Sequence, residues 1–132
     1  MVRVERPPEI LSVIEDDPDI QFLIRTMFAM DSRFIIANMS ETTEDALECA
    51  RTSVPGIIVL DHGEAGSLTG LDAAPLFKKL APHAKIILFT AHAGLEARAD
   101  DEPAIDAFLL KTDPTQLLPV AARLAGLDEP FA

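Results

Sequence analysis

Five short apolar runs, separated by segments of helical periodicity, constrain this chain more than any other feature. They are ILSVI (10–14), FIIAN (34–38), GIIVL (56–60), KIILF (85–89) and DAFLL (106–110). Each has strand length and is rich in Ile, Leu and Val. The apolar residues are largely continuous rather than alternating, as in strands buried on both faces. After Pro18, Ile20, Leu23, Ile24 and Met27 fall at i, i+3, i+4 and i+7 with Arg25 pointing away, which predicts an amphipathic helix. The segment 43–53 puts Ala46, Leu47 and Ala50 on one side, and 71–80 does the same with Ala74, Leu76 and Leu80. The stretch 92–103 has small residues and the acids Glu96, Asp100, Asp101 and Glu102, and predicts only a short, mobile helix. A last helix carries Leu117, Val120, Ala121 and Leu124 on one face and ends at Gly126. If it starts at Asp113, with Pro114 first and Gln116 completing a cap, Pro119 removes an internal hydrogen bond and meets the carbonyl of Thr115. A kink or an irregular first turn is therefore expected, with regular helix from about Leu118.

Strand and helix alternating five times predict a (βα)5 α/β fold, a doubly wound parallel sheet with helices on both faces. Right-handed crossovers leave few topologies. A length of 132 residues fits one domain, expected over 10–126 between tails at 1–9 and 127–132. No apolar run approaches a membrane span, and MVRVERPPEI lacks the apolar stretch of a secretory signal, so a soluble, cytoplasmic protein is expected. Cys49 stands alone with no metal-ligand spacing and reads as a small half-buried thiol; Met27, Phe28 and Met30 read as core or half-core filler. With 22 acids against 11 Lys and Arg, the formal charge is −11, and no basic cluster interrupts it. Such a surface repels phosphate backbones, so nucleic acid and anionic membranes are not expected partners.

In sheets of this kind ligands bind beyond the carboxyl ends of the strands. Glu15 and Asp16 follow strand 1, Asp61 follows strand 3, Thr90 ends strand 4 and Lys111 follows strand 5. Any one of these is more often a turn or surface residue; their convergence is the signal. Three close carboxylates raise one another's pKa unless a cation neutralises them, and an all-oxygen, partly hydrated cluster suits Mg²⁺. An Asp beside such an ion can attack a phosphoryl group, with Lys111 and Thr90 holding its remaining oxygens. The neighbouring acids of VIEDDPDI read differently: Asp17 precedes Pro18 and caps the first helix, and Asp19 complements its dipole.

VIEDDPDI, GIIVLD, IILFTAH and FLLKTDP, in this order across about residues 10–126, resemble the response-regulator receiver domains of two-component signalling. The resemblance implies a flavodoxin-like five-stranded sheet in the order 2-1-3-4-5. It implies that Asp61 accepts a phosphoryl group from a histidine kinase or phosphotransfer protein. Asp16, Asp61 and the backbone carbonyl of Gly63 would ligate Mg²⁺, with Glu15 acting directly or through water. Thr90 would turn toward the phosphoryl group, Lys111 would pair with it, and Phe108 matches the switch aromatic that follows the threonine. Output would pass to a downstream protein through the face of helix 4, strand 5 and helix 5, which could also form a homodimer. The chain ends soon after helix 5, so a stand-alone receiver is expected.

The sequence departs from the family pattern at several points. Glu15 stands where the family most often has Asp, and its extra methylene is expected to move the carboxylate outward. The loop HGEAGSLTG (62–70) lacks the family's usual proline and is one residue longer than the family's, with Gly70 as a flexible start to helix 3. Thr112 replaces the proline that commonly follows the lysine, so no cis peptide is expected there. His62 and His92 flank the site as rim residues able to tune loss of the phosphoryl group through water access, and His83 reads as a loop residue. Two other functions compete. An atypical receiver would switch by protein contacts without phosphorylation; a small Mg²⁺-dependent phosphatase would want a second acid just beyond Asp61, where Gly63 stands.

Overall fold

Residues 6–63 and 68–127 are described by the computed structural model. The strands are β1 (Glu9–Ile14), β2 (Phe34–Ser40), β3 (Ile57–Leu60), β4 (Lys85–Thr90) and β5 (Ala107–Leu110). The helices are α1 (Pro18–Ala29), α2 (Thr43–Ala50), α3 (Gly70–Leu80), α4 (Glu96–Asp100) and α5 (Leu117–Leu124). All strand pairs are parallel and the sheet order is β2-β1-β3-β4-β5, the expected doubly wound arrangement.

Continuous apolar strands feed two cores, one on each face. Ile14, Ile58, Leu60, Ile86 and Leu88 pack with Leu71, Ala74 and Phe77 of α3 and Ala46 of α2. Leu11, Val13, Ile57, Val59, Ile87 and Phe89 pack with Ile24 and Phe28 of α1 and Leu117, Val120 and Ala121 of α5. The four residues of β3 are at most 1% exposed. Burial of one such side chain contributes about 1.5–3 kcal/mol, so this short central strand anchors both layers.

Local chemistry sets the helix ends. Asp17 Oδ1 accepts from the Asp19 amide at 2.9 Å, with Pro18 in the first turn, as the sequence predicts for α1. Beyond α1, buried Asp31 pairs with Arg33 at 2.7 Å, and the rings of Phe28 and Phe34 meet edge to face at 5.2 Å. Met30 is 68% exposed rather than core, because it lies past the last buried turn of α1. Leu76 also faces solvent, since α3 buries the face of Gly70, Leu71, Ala73, Ala74 and Phe77. Pro75 sits inside α3 and leaves the Leu71 carbonyl without its helical donor. The segment after β4 is a 3-10 turn (Ala93–Leu95) followed by the five-residue α4, the short element expected.

The last helix has the irregular start that Pro119 requires: a 3-10 turn (Pro114–Gln116) precedes regular helix from Leu117. The expected cap is not formed. Asp113 Oδ1 accepts instead from the Thr115 hydroxyl at 2.8 Å, and Gln116 makes no capping bond. Gly126 closes α5 at φ +75°, a left-handed turn that favours glycine, while the Leu127 amide donates to the Ala122 carbonyl at 2.9 Å. Arg6 Nη2 donates to the Ala125 carbonyl at 3.0 Å, tying the start of the chain to this helix end.

Candidate functional site

The carboxyl ends of β1, β3, β4 and β5 place Glu15, Asp61, Thr90 and Lys111 along one edge of the sheet. One oxygen from each of Glu15, Asp16 and Asp61 lies within 4.8 Å of the others. Lys111 Nζ joins the cluster, 2.7 Å from Glu15 Oε1 and 3.1 Å from Asp61 Oδ1. A cavity of about 10 Å³ beside Asp16, Asp61 and Gly63 has room for roughly one water-sized particle. These residues fit a small hydrated cation: the donors are all oxygen, and Asp16 is open to solvent.

Glu15 does not swing outward. It is 1% exposed; Oε2 accepts from the Asp17 amide at 3.1 Å, and Oε1 forms a close ion pair with Lys111 whose angles are poor for a hydrogen bond. The longer side chain folds back under the loop because two donors meet it there. The backbone behind it is pinned, since Gln21 Nε2 donates to the Glu15 carbonyl at 2.6 Å and the Glu15 amide donates to Ser40 at 2.8 Å. Burial raises the Glu15 pKa, opposed by the Lys111 ammonium and the Asp17 amide. Burial pulls Lys111 down, but its pairing with Glu15 and Asp61 prevails and the net shift is upward, which keeps the ammonium charged.

Thr90 is fully buried, and its hydroxyl oxygen accepts from the His92 amide at 3.1 Å. Phe108 is half-buried on β5, where it lines a groove with Glu96, Asp113 and Gln116. His62 and His92 line a second open groove next to the site. Burial first, then the charge of Arg98, lowers the His62 pKa despite Asp61, so its imidazole is neutral at neutral pH.

The loop after Asp61 is closed by a hydrogen bond that the Gly70 amide donates to the His62 carbonyl at 3.0 Å. A Cβ at Gly70 would stand 2.6 Å from the Asp61 carbonyl oxygen, so close approach rather than flexibility demands glycine there. Residues 64–67 of this loop lie outside the described residues.

The sequence profile for the response regulator receiver domain matches residues 11–121. The chain belongs to this family. As a receiver domain it is built on the same fold as several solved structures. The isolated receiver domain of RcsB from Salmonella enterica serovar Typhimurium, solved with the phosphomimetic BeF3⁻, superposes with a TM-score of 0.81 at 17% identity, covering 94% of this chain and 92% of that one. The response regulator TrrA of Thermotoga maritima, solved with Mg²⁺-BeF, gives 0.73 at 23% identity over 88% and 98%. A LuxR-family DNA-binding response regulator of Staphylococcus aureus gives 0.78 at 21% identity over 88% and 98%. No curated protein sequence matches. Receiver domains of this family typically undergo phosphorylation and bind Mg²⁺ at an acidic pocket, and no helix among the described residues is long and apolar enough to cross a membrane.

Within this receiver domain, several contributors escaped the strand-end reading. Gln21 braces Glu15 from α1, and Thr43 and Leu68 line the cavity beside Asp61. The end of β2 belongs to the same sheet edge as the other strand ends, which is the signal that points to Thr43.

Proposed function

We propose that this receiver domain accepts a phosphoryl group on Asp61 from a phosphohistidine of a kinase or phosphotransfer protein, and that the modification changes its contacts with a downstream protein. The observation that carries the reading is the Lys111 ammonium held between Glu15 and Asp61 inside the acidic cluster. A phosphoryl acceptor needs a carboxylate oxygen with a fixed cation beside it, and Asp61 has one.

Asp16, Asp61 and the Gly63 carbonyl would hold Mg²⁺, with Glu15 contributing through water because Lys111 and the Asp17 amide already engage its oxygens. Bound there, the ion offsets negative charge on the incoming phosphoryl oxygens. An Asp61 oxygen attacks phosphorus, the P–N bond of the donor breaks, and the imidazole leaves with a proton while an acyl phosphate forms. Lys111 pairs with one phosphoryl oxygen. The Thr90 hydroxyl rotates to donate to another, withdrawing the acceptor of the His92 amide. The 3-10 turn and the five-residue α4 follow directly, so this exchange reaches the shortest α-helix among the described residues. Phe108 then repacks in its groove on the proposed output face. Water attack later releases inorganic phosphate, with His62 and His92 bordering its access. The domain is thus a phosphoacceptor switch, without turnover of an external substrate.

The charge of −11 favours protein partners over direct contact with nucleic acid, and a cytoplasmic setting supplies the kinase. Incubation with Mg²⁺ and acetyl phosphate, followed by intact mass measurement, tests the proposal. One phosphoryl adduct is expected, absent in Asp61→Asn. No adduct at any Mg²⁺ concentration overturns it in favour of a phosphorylation-independent receiver, and rapid multiple turnover of a phosphoester favours a phosphatase.

A further inference from the structure

We infer that Thr43 and Glu44, in the first turn of α2, are positioning residues that clamp the loop after Asp61 and hold one wall of the phosphoryl pocket. This rests on the reading of Asp61 as the phosphoacceptor. Leu68, at the far end of that loop, is gripped at both backbone groups: its amide donates to Glu44 Oε1 at 3.0 Å, and its carbonyl lies 3.0 Å from the Thr43 hydroxyl. The hydroxyl is also 3.0 Å from Glu44 Oε1, so its single proton is divided between that carboxylate and the Leu68 carbonyl in a closed ring of contacts. Thr43 is 3% exposed, which makes the grip a buried one.

The clamp touches the site itself. Thr43 and Leu68 line the same small cavity as Asp16, Asp61 and Gly63. Its own foundation is rigid: Thr42 Oγ1 accepts from the Asp45 amide at 3.1 Å, and Ala46 is fully buried in the core. The loop therefore has two fixed ends, the Gly70 bond to His62 and the Leu68 grip from α2. No proline stiffens the sequence between them, HGEAGSLT, so side-chain hydrogen bonds supply the constraint. Loss of the clamp leaves the ligating groups present but unplaced, the usual consequence of removing a support behind a metal ligand.

The test uses the full chain and compares wild type with Thr43→Val combined with Glu44→Ala, and with Thr43→Ser alone. Mg²⁺ affinity by calorimetry and the phosphorylation rate with acetyl phosphate are read alongside thermal melting. The inference expects the double variant to bind Mg²⁺ about tenfold more weakly and to need correspondingly more of it for phosphorylation, with Thr43→Ser, which keeps the hydroxyl, retaining both at the wild-type level. A double variant that melts earlier yet binds Mg²⁺ within about twofold of wild type, while wild type is phosphorylated, overturns the clamp alone. A wild type that neither binds Mg²⁺ nor is phosphorylated overturns the clamp together with the function on which it rests.

Discussion

Lys111 Nζ stands 2.7 Å from Glu15 Oε1, so the buried acid at the end of β1 is neutralised by the lysine that follows β5. The same ammonium reaches Asp61 at 3.1 Å and competes there with any incoming cation. Lys111→Ala is therefore expected to tighten Mg²⁺ binding by about fivefold, roughly 1 kcal/mol, in calorimetric titration. It is expected at the same time to slow phosphorylation by acetyl phosphate by about a hundredfold, since a positioned cation at the phosphoryl oxygens is lost.

Gly70 is fixed by the Asp61 backbone. A methyl group there would meet the Asp61 carbonyl at 2.6 Å and the His62 Cα at 3.0 Å, both backbone atoms. Gly70→Ala should destabilise the fold by about 1–3 kcal/mol in urea unfolding and lower the phosphorylation rate through displacement of Asp61.

Asp31 supplies an acid-sensitive part of the stability. It is 1% exposed, and hydrogen bonding from Arg33 lowers its pKa below the usual 3.8. A carboxylate with a depressed folded-state pKa stabilises fully above its unfolded value, and that stability disappears as pH falls through the folded value. Asp31→Asn should cost about 2 kcal/mol near pH 7 in urea unfolding, and the difference from wild type should shrink as pH falls below 3.8 through the lowered folded-state value.

Thr90 links the site to α4 through the His92 amide at 3.1 Å. Thr90→Val removes both the present acceptor and the proposed phosphoryl donor. Phosphorylation should persist, while amide hydrogen exchange across 92–100, which is expected to rise on phosphorylation of wild type, should already be raised in the unmodified variant and no longer respond.

Nearly every element was legible because continuous Ile, Leu and Val runs leave a chain of this length little choice but a parallel sheet covered on both faces; the strand order came only with the resemblance to receiver domains. The convergence of Glu15, Asp61 and Lys111 followed from strand ends alone. Rotamers did not. Glu15 folds inward because the Asp17 amide and Lys111 meet it there, a contact between residues 15 and 111 that no local pattern announces. The clamp at Leu68 was hidden for the same reason: Thr43 and Glu44 read as an ordinary helix start until β2 runs to Ser40 and delivers them to the active edge. Met30 and Leu76 were misplaced because apolar character sets a face only where a neighbouring layer covers it.

The central claim is that Asp61 carries the phosphoryl group, and borohydride reduction tests it most directly. After phosphorylation with acetyl phosphate and Mg²⁺, reduction converts a phosphorylated aspartate to homoserine, and peptide mass mapping locates the change. Conversion at residue 61, dependent on Mg²⁺ and absent in Asp61→Asn, is the predicted result. Conversion at Asp16, reduction of Glu15 to 5-hydroxynorvaline, or no reduction anywhere in a chain that binds Mg²⁺, would contradict it.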